Sequence, residues 1–296
     1  MIGAVIVAGR AAQKEGWNVS INVVLMERLR KRFWANKMSQ NNIGDCAYCG
    51  ALKPLCKSHA IPNKFLKALK TDGKFVTYQM DKSYTFYTGQ DGEGYLLCSA
   101  CESDFNIRFD IPFSEAIQRT IPRNNIKSQD SKIIGRSLIS FAWRASLLNT
   151  DMYSGFSLSK YGNSIFKSLL DGTMKIPENS YSIRILRIID NVSGGGIDPF
   201  FIASAPRIKR TTIAGKSNVI INVMLAGFLF ELFLPKIKGR FHSELNIVRF
   251  INQTHQIKGL RISDVPGFID LVEGMNASID SGRTSAAIKK LMRDVD

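Results

Sequence analysis

Two Cys-x-x-Cys pairs, Cys46/Cys49 and Cys98/Cys101, are the residues in this chain whose type and spacing speak most directly of chemistry. Two residues between the thiols let one tight turn aim both sulfurs at a single tetrahedral ion. Two such turns complete a four-thiolate site, the donor set of a structural zinc ion. Gly50 follows the first pair and a helix-like run follows the second. One pair alone would fit a redox dithiol equally well, and a plainer reading keeps all four as buried apolar side chains. The fifth cysteine, Cys56, forms Cys-x-x-His with His59, which offers a replacement for one of the two turns.

His59 is one of three histidines and lies between the two cysteine turns. An imidazole can take a proton from water near neutral pH. Glu102 directly follows the second pair, at the start of the predicted helix. A metal turn that folds this helix over the strand ending at His59 brings the two side chains together. A divalent ion on Glu102, with Asn106 one turn on as a second donor, then faces His59. That arrangement suits phosphodiester hydrolysis: His59 activates water, and the ion stabilises charge on the phosphate and the leaving 3′ oxygen.

The elements that must position these groups are short. Ala51–His59 reads as a short strand pair leaving the first turn, and Pro62–Lys70 has helical spacing through Phe65, Leu66 and Leu69. Phe75–Tyr87 is rich in aromatic and β-branched residues and reads as a hairpin turning near Asp81-Lys82, with a loop over Gly89–Gly94. Pro112 and Pro122 bracket an amphipathic segment, and Asn124–Ser131 is polar enough for a linker. Upstream, Ala4–Ala8 reads as a short strand. From Ile21 the run Val24, Leu25, Leu29, Phe33 with interleaved Arg and Lys reads as a basic amphipathic helix. Downstream, helices are expected over Ser137–Leu148, Ser164–Leu170 and Pro266–Met275, with a loop over Tyr153–Gly162. Strands are expected at Tyr181–Ile189, Phe200–Ala203 and either side of Ala226-Gly227 within Val219–Phe233, before a polar tail after Ala277. The whole is α+β in three parts: a basic helical arm (1–42), the cysteine module (43–125) and a mixed α/β C-terminal region (126–296).

Charge divides along the same lines. A net charge of +15 favours a polyanionic partner, nucleic acid before an anionic membrane surface. Basic against acidic side chains number 7 to 2 in residues 1–42, 10 to 9 in 43–125 and 23 to 14 in 126–296. The cysteine module is nearly neutral, so a grip on nucleic acid falls to its flanks. Arg207, Lys209 and Arg210, then Lys236, Lys238 and Arg240, are the candidate phosphate contacts; a solvated basic face is the plainer reading. His242 and His255 read as surface or satisfied histidines, and Gly194-Gly195-Gly196 as a turn without the lysine of a phosphate loop. Four cysteines in metal spacing suit a reducing compartment. The apolar run Val219–Leu234 is broken by Asn222 and Glu231 and is short for a membrane span, so the expectation is a cytoplasmic protein.

The order Cys-x-x-Cys, then Ser58-His59-Ala60-Ile61-Pro62, then Leu97-Cys98-Ser99-Ala100-Cys101-Glu102 resembles the zinc-knuckle HNH (ββα-metal) endonucleases. The likeness is to an uncharacterised prokaryotic branch, which Phe141-Ala142-Trp143-Arg144-Ala145-Ser146 also resembles. It covers about residues 43–110, with an echo near 136–150. The resemblance implies a zinc-stabilised, treble-clef-like ββα module with Cys46, Cys49, Cys98 and Cys101 on zinc and His59 as general base. Glu102 then stands where the family has a His or Asn ligand to a catalytic Mg²⁺ or Mn²⁺. It also implies DNA or RNA as substrate and a place in anti-phage defence. A catalytically inactive zinc module that binds nucleic acid or a partner protein in a defence complex is the alternative. The chain departs from the family in two places. Ser58 precedes the histidine where an acidic residue is usual, and no Asn lies in Gly89–Tyr95, where Gln90 offers an amide and Asp91 or Glu93 a carboxylate.

Overall fold

A computed structural model describes residues 42–68, 75–79, 84–88, 92–148, 150–153, 156–172, 181–191, 194–197, 206–213, 215–248, 254–265 and 273. The expected strand at Ala4–Ala8, the basic helix from Ile21, Gln90, Asp91, the strand at Phe200–Ala203 and the tail lie outside these residues. So does the helix expected at Pro266–Met275, apart from Glu273.

The cysteine module starts with β1 (Ile43–Asp45) and β2 (Leu52–Ser58), and β2 pairs antiparallel with both β1 and β5 (Gly94–Cys98). Ala51–His59 thus holds one strand, Leu52–Ser58, with a bulge between Cys56 and Lys57, and the expected pairing within it is made instead with its two neighbours. Helix α1 (Asn63–Ala68) and the hairpin β3 (Phe75–Gln79) and β4 (Tyr84–Thr88) lie between β2 and β5 in the chain. After β5 the backbone turns straight into α2 (Ser99–Phe105), a π-helical turn (Asn106–Asp110) and α3 (Ile111–Thr120). Within that rod the amide of Ile111 bonds back to the carbonyl of Asn106, an i→i−5 link. Pro112 follows at once. Having no N–H, it cannot continue an α-helical ladder, and the change of register falls where the donor is missing.

The stretch expected to be a linker is structured. It holds β6 (Asn125–Lys127) and the first turn of α4 (Ser128–Leu147). Two of its polar residues mislead because they are satisfied internally: Asp130 is buried and receives Arg119 Nε at 3.1 Å and Nη2 at 2.8 Å, and Ser131 Oγ donates to the carbonyl of Ser128. Helix α4 begins nine residues before the expected start for this reason. Helix α5 (Lys160–Asp171) follows, with the Ser159 hydroxyl accepting from the amide of Gly162 as N-cap and Gly172 in the left-handed region beyond its end.

The C-terminal half is built on a sheet in the order β11-β7-β10-β9-β8. Its members are β7 (Ser182–Ile189), β8 (Arg207–Ile213), β9 (Lys216–Leu225), β10 (Phe228–Leu234) and β11 (Ile247–Val248). Strands β9 and β10 join through Ala226-Gly227, both at positive φ (53° and 75°), the two-residue turn whose twist matches that of paired strands. Past β11, β7 is edged by the parallel strand β13 (Lys258–Arg261), and β12 (Thr254–Gln256) leaves the sheet to pair with β6.

One face of the sheet, carrying Phe228, Phe230 and Leu232, takes the helices. Phe113 of α3 meets Phe230 edge-on at 5.7 Å and Phe141 of α4 at 5.0 Å. A single buried apolar cluster runs from Cys46 through these helices to Ile257, crossing residue 125 without a break. No helix among the described residues is long and apolar enough to cross a membrane.

Candidate metal centre

Cys46 lies just past β1, where a turn over residues 47–49 reverses the chain. The Gly50 amide donates to the Cys46 carbonyl at 2.8 Å, and the Cys46 amide to the Ala51 carbonyl at 3.0 Å. Gly50 closes the turn at φ +72°, a conformation that costs a residue with a side chain about 1–2 kcal/mol. The second pair comes from the junction of strand and helix: Cys98 ends β5 and Cys101 lies in the first turn of α2. Pairing of β2 with β5, and a bond from the Ala47 amide to the Leu96 carbonyl at 3.1 Å, bring the two turns together.

The four sulfurs lie within 4.8 Å of one another, with Cys49 and Cys98 4.0 Å apart. A tetrahedral ion bonded to sulfur at ~2.3 Å sets its ligands about 3.8 Å apart. The constellation is therefore the right size for a metal ion and far too open for a disulfide, and all five cysteines are free thiols. Burial pushes the Cys46 thiol up, but the amides of Cys49, Cys98 and Tyr48 more than offset it and pull it down to about 6. Cys101 moves the other way: burial raises it, and its hydrogen bonds to Cys98, Cys46 and Cys49 raise it further. A lowered Cys46 beside a raised Cys101 is a pairing that a divalent cation would replace, since metal binding takes the thiolate form and releases the protons. Cys56 stands outside the cluster, so the Cys-x-x-His alternative to one of the turns is not the arrangement found. Its thiol is pushed up by burial and then by the charges of Glu102, Cys98 and Cys46.

The first turn is braced from behind. The ring of Tyr48 meets Phe105 at 4.9 Å and Trp143 at 6.1 Å, both edge-on. Arg108 donates to Asp104 at 2.8 Å, to the Tyr48 hydroxyl at 3.4 Å and to the Leu170 carbonyl, while Lys167 of α5 donates to the Ala47 carbonyl at 3.2 Å.

Of the residues expected to do chemistry, Glu102 points to the end of β2, where its Oε2 accepts from Ser58 Oγ at 2.6 Å. Burial raises the Glu102 carboxyl, Ser58 and the nearby Arg144 guanidinium lower it, Asp110 adds to the rise, and the net is upward. His59 follows Ser58 with its side chain 13% exposed, and its Nε2 lies 3.8 Å from Oε2 of Glu93, which Lys57 also contacts. Glu93 sits in the loop before β5, held by close packing at Gly92: a Cβ there would fall 2.7 Å from Met152 Sδ and 2.8 Å from the Tyr153 ring. Asn106 is exposed one turn beyond Glu102, its amide bonded to the Glu102 carbonyl.

The sequence reading passed over one pair close to Glu102. Arg144, 1% exposed, grips Asp110 through Nη1 at 3.1 Å and Nη2 at 2.5 Å, between the rings of Phe105 and Phe141 at 5.7 and 5.4 Å. The signal available was a lone arginine in the apolar stripe of the helix over 137–148, which demands a buried carboxylate partner.

The basic candidates fall in two runs at one end of the sheet. Lys209 and Arg210 are exposed and Arg207 half-buried on β8, which among the described residues pairs only with β9. Arg210 lies opposite Val219, and Val219 opposite Leu234, so Lys236, Lys238 and Arg240 continue from the same end of the sheet. Lys238 and Arg240 are exposed, and Arg240 lies over the Phe241 ring at 4.7 Å.

Comparison with models of known protein families, with curated proteins and with solved structures finds no match to this chain.

Proposed function

We propose that this chain is a metal-dependent nuclease of the HNH type, its ββα-metal module held by zinc on Cys46, Cys49, Cys98 and Cys101, acting on DNA or RNA in prokaryotic anti-phage defence. Four thiolates in a tetrahedral cluster suit zinc above other common ions. The observation that carries the reading is the 2.6 Å hydrogen bond from Ser58 to Glu102. It ties the residue before His59 to the residue after a metal-ligating cysteine, so the proposed base and the proposed ion ligand share one neighbourhood. In this reading His59 takes a proton from water, and Glu93, 3.8 Å from its Nε2, holds the ring in place of the missing amide. Glu102 and Asn106 would hold Mg²⁺ or Mn²⁺, which needs only one or two protein donors once phosphate and water complete its shell. When bound, that ion supplies charge stabilisation at the phosphate and the leaving oxygen. Arg207, Lys209, Arg210, Lys236, Lys238 and Arg240 would follow the nucleic-acid backbone.

A non-catalytic zinc module that binds nucleic acid or a protein partner is the second reading, and a specific observation favours it. Glu102 is engaged by Ser58 and Asp110 by Arg144, so both carboxylates already have protein partners. Among the described residues the four thiols are the one convergence of three or more metal-binding side chains. The test is cleavage of plasmid DNA and of RNA with Mg²⁺ or Mn²⁺. His59→Ala is expected to slow cleavage by about 100-fold or more, the usual worth of a general base, while keeping the zinc content of the unaltered chain. If neither protein cuts and both bind nucleic acid equally well, the binding-module reading stands.

A further inference from the structure

His242 and His255, which the nuclease reading leaves unused, line one cleft of about 270 Å³ together with Asn246 and Gln256, over the aliphatic side chains of Ile185 and Ile247. The cleft lies at the seam of the two halves. Residues 254–256 pair with β6, at the foot of the helical half, while Ile185 and Ile247 belong to the sheet. We infer that this cleft is a binding site for a nucleobase.

Three features point to that class of ligand. The first is charge: no Lys, Arg, Asp or Glu lines the cleft among the described residues. An anion would find no cation among these lining residues, whereas a neutral heterocycle gives up little hydration beside them. The second is the set of hydrogen-bonding groups. Asn246 and Gln256 each carry a donor and an acceptor on one planar amide, the combination that reads the mixed edges of bases. His242 Nε2 lies 2.9 Å from the Ile237 carbonyl, which can only accept. Nε2 therefore donates there, which leaves Nδ1 as the ring nitrogen available to a ligand. The third is size. The volume is just below the ~300–1,000 Å³ of sites for drug-sized ligands, so it suits one ring system over an aliphatic floor rather than an extended chain.

The rim completes the argument. Lys238 and Arg240 precede His242 on the same turn, Lys127 lies opposite Thr254 in the β6–β12 ladder, and Lys258 follows Gln256 by two residues. All four are exposed; so is Glu244, between the lining residues Ser243 and Asn246, and the cations around the cleft outnumber it. A neutral cleft with a basic rim matches a nucleotide unit, with the base inside and the phosphate outside. A single strand and a free nucleotide both present such a base, and the two sources are separable by experiment.

The test uses the full chain carrying His59→Ala, without divalent ions, so that its outcome is independent of whether the protein cuts. Binding of a labelled single-stranded oligonucleotide is compared with that of an abasic strand of equal length at one salt concentration. The base-bearing strand is expected to bind about tenfold tighter, the scale of one well-made base contact. Asn246→Gly and Gln256→Ala should each remove most of that ratio while leaving the abasic strand unchanged. Glycine is chosen at 246 because Asn246 has φ 52°, where alanine would add strain of its own. AMP, CMP, GMP and UMP, with ribose 5-phosphate as the base-free control, identify the source. A mononucleotide that binds as tightly as the strand, where ribose 5-phosphate does not bind, marks a free-nucleotide site. A strand that binds tenfold tighter than any mononucleotide marks a nucleic-acid site. Equal binding of base-bearing and abasic strands by a chain with native circular dichroism overturns the inference. A ratio unchanged in Asn246→Gly, Gln256→Ala and His255→Ala overturns it as well.

Discussion

A guanidinium that is 1% exposed is tolerable only if its charge is answered. Asp110 answers Arg144 with two hydrogen bonds, so removing either partner strands a buried charge. Asp110→Ala is expected to lower stability by about 3–5 kcal/mol in urea denaturation, far more than the ~0–1 kcal/mol of an exposed pair such as Arg119–Glu115. The double variant Asp110→Ala/Arg144→Met should recover most of that loss, because an apolar pair needs no compensation. A double variant no more stable than the single would mean that shape, not charge, is what the site requires. The thiols behave differently. Cys98, buried and with its amide on Cys46 Sγ at 3.3 Å, has no apolar substitute that keeps the ion. Cys98→Ser should abolish bound zinc by elemental analysis and lower the melting temperature by ten degrees or more, since structural zinc contributes about 10–16 kcal/mol at neutral pH. At this scale legibility follows sequence spacing. Two residues between cysteines is a geometric rule and was readable. Asp110 and Arg144 lie 34 residues apart with no rule to join them, and the attachment of Glu102 to Ser58 rather than to open solvent depended on how α2 leans on β2.

Elements were legible where one physical signal dominated. Strands β9 and β10 announced themselves by an apolar run with Ala-Gly at its centre. Even the interruptions fit, for Asn222 lies opposite Glu231, and Glu231 opposite Arg184, whose Nε donates to it. The segment 124–131 was illegible because composition alone cannot distinguish a polar residue facing water from one facing a buried partner, as Asp130 does. The close approach of α4 to the sheet was equally hidden, and a glycine carries it. A Cβ at Gly135 would fall 2.5 Å from Ile183 Cδ1 and 2.8 Å from the Tyr181 ring, both buried. Two effects oppose each other there. Alanine gains about 1 kcal/mol in a helix interior, while overpacking costs about 1–3 kcal/mol. Gly135→Ala should therefore lie between neutral and 2 kcal/mol destabilised. Gly135→Val, bulkier and β-branched, should lose 3 kcal/mol or more by the same measurement. If both variants match the parent, α4 rides on β7 more loosely than these distances require.

The charge of the whole molecule is divided, but its core is not. The nearly neutral cysteine module and the basic C-terminal region share one apolar cluster from Cys46 to Ile257, the β6–β12 ladder crosses between them, and α5 grips the first cysteine turn through Lys167. A unit joined in this way should unfold as a unit, because the apolar surface exposed when one half opens belongs equally to the other. A metal ion on the four thiols would offer the means to test it, since all four belong to the cysteine module. Stripping it with a chelator should raise amide hydrogen exchange in the turn at 46–50 and also in β7, β9 and β10, none of which carries a ligand. Urea unfolding followed by tryptophan fluorescence and by far-ultraviolet circular dichroism should give one midpoint before chelation and one lower midpoint after it. Protection of β9 and β10 that survives chelation while the cysteine turn exchanges freely would instead divide the chain near residue 125 into two units that fold separately. The sharing of Phe113 between Phe141 and Phe230 would then be a contact between neighbours rather than part of one core.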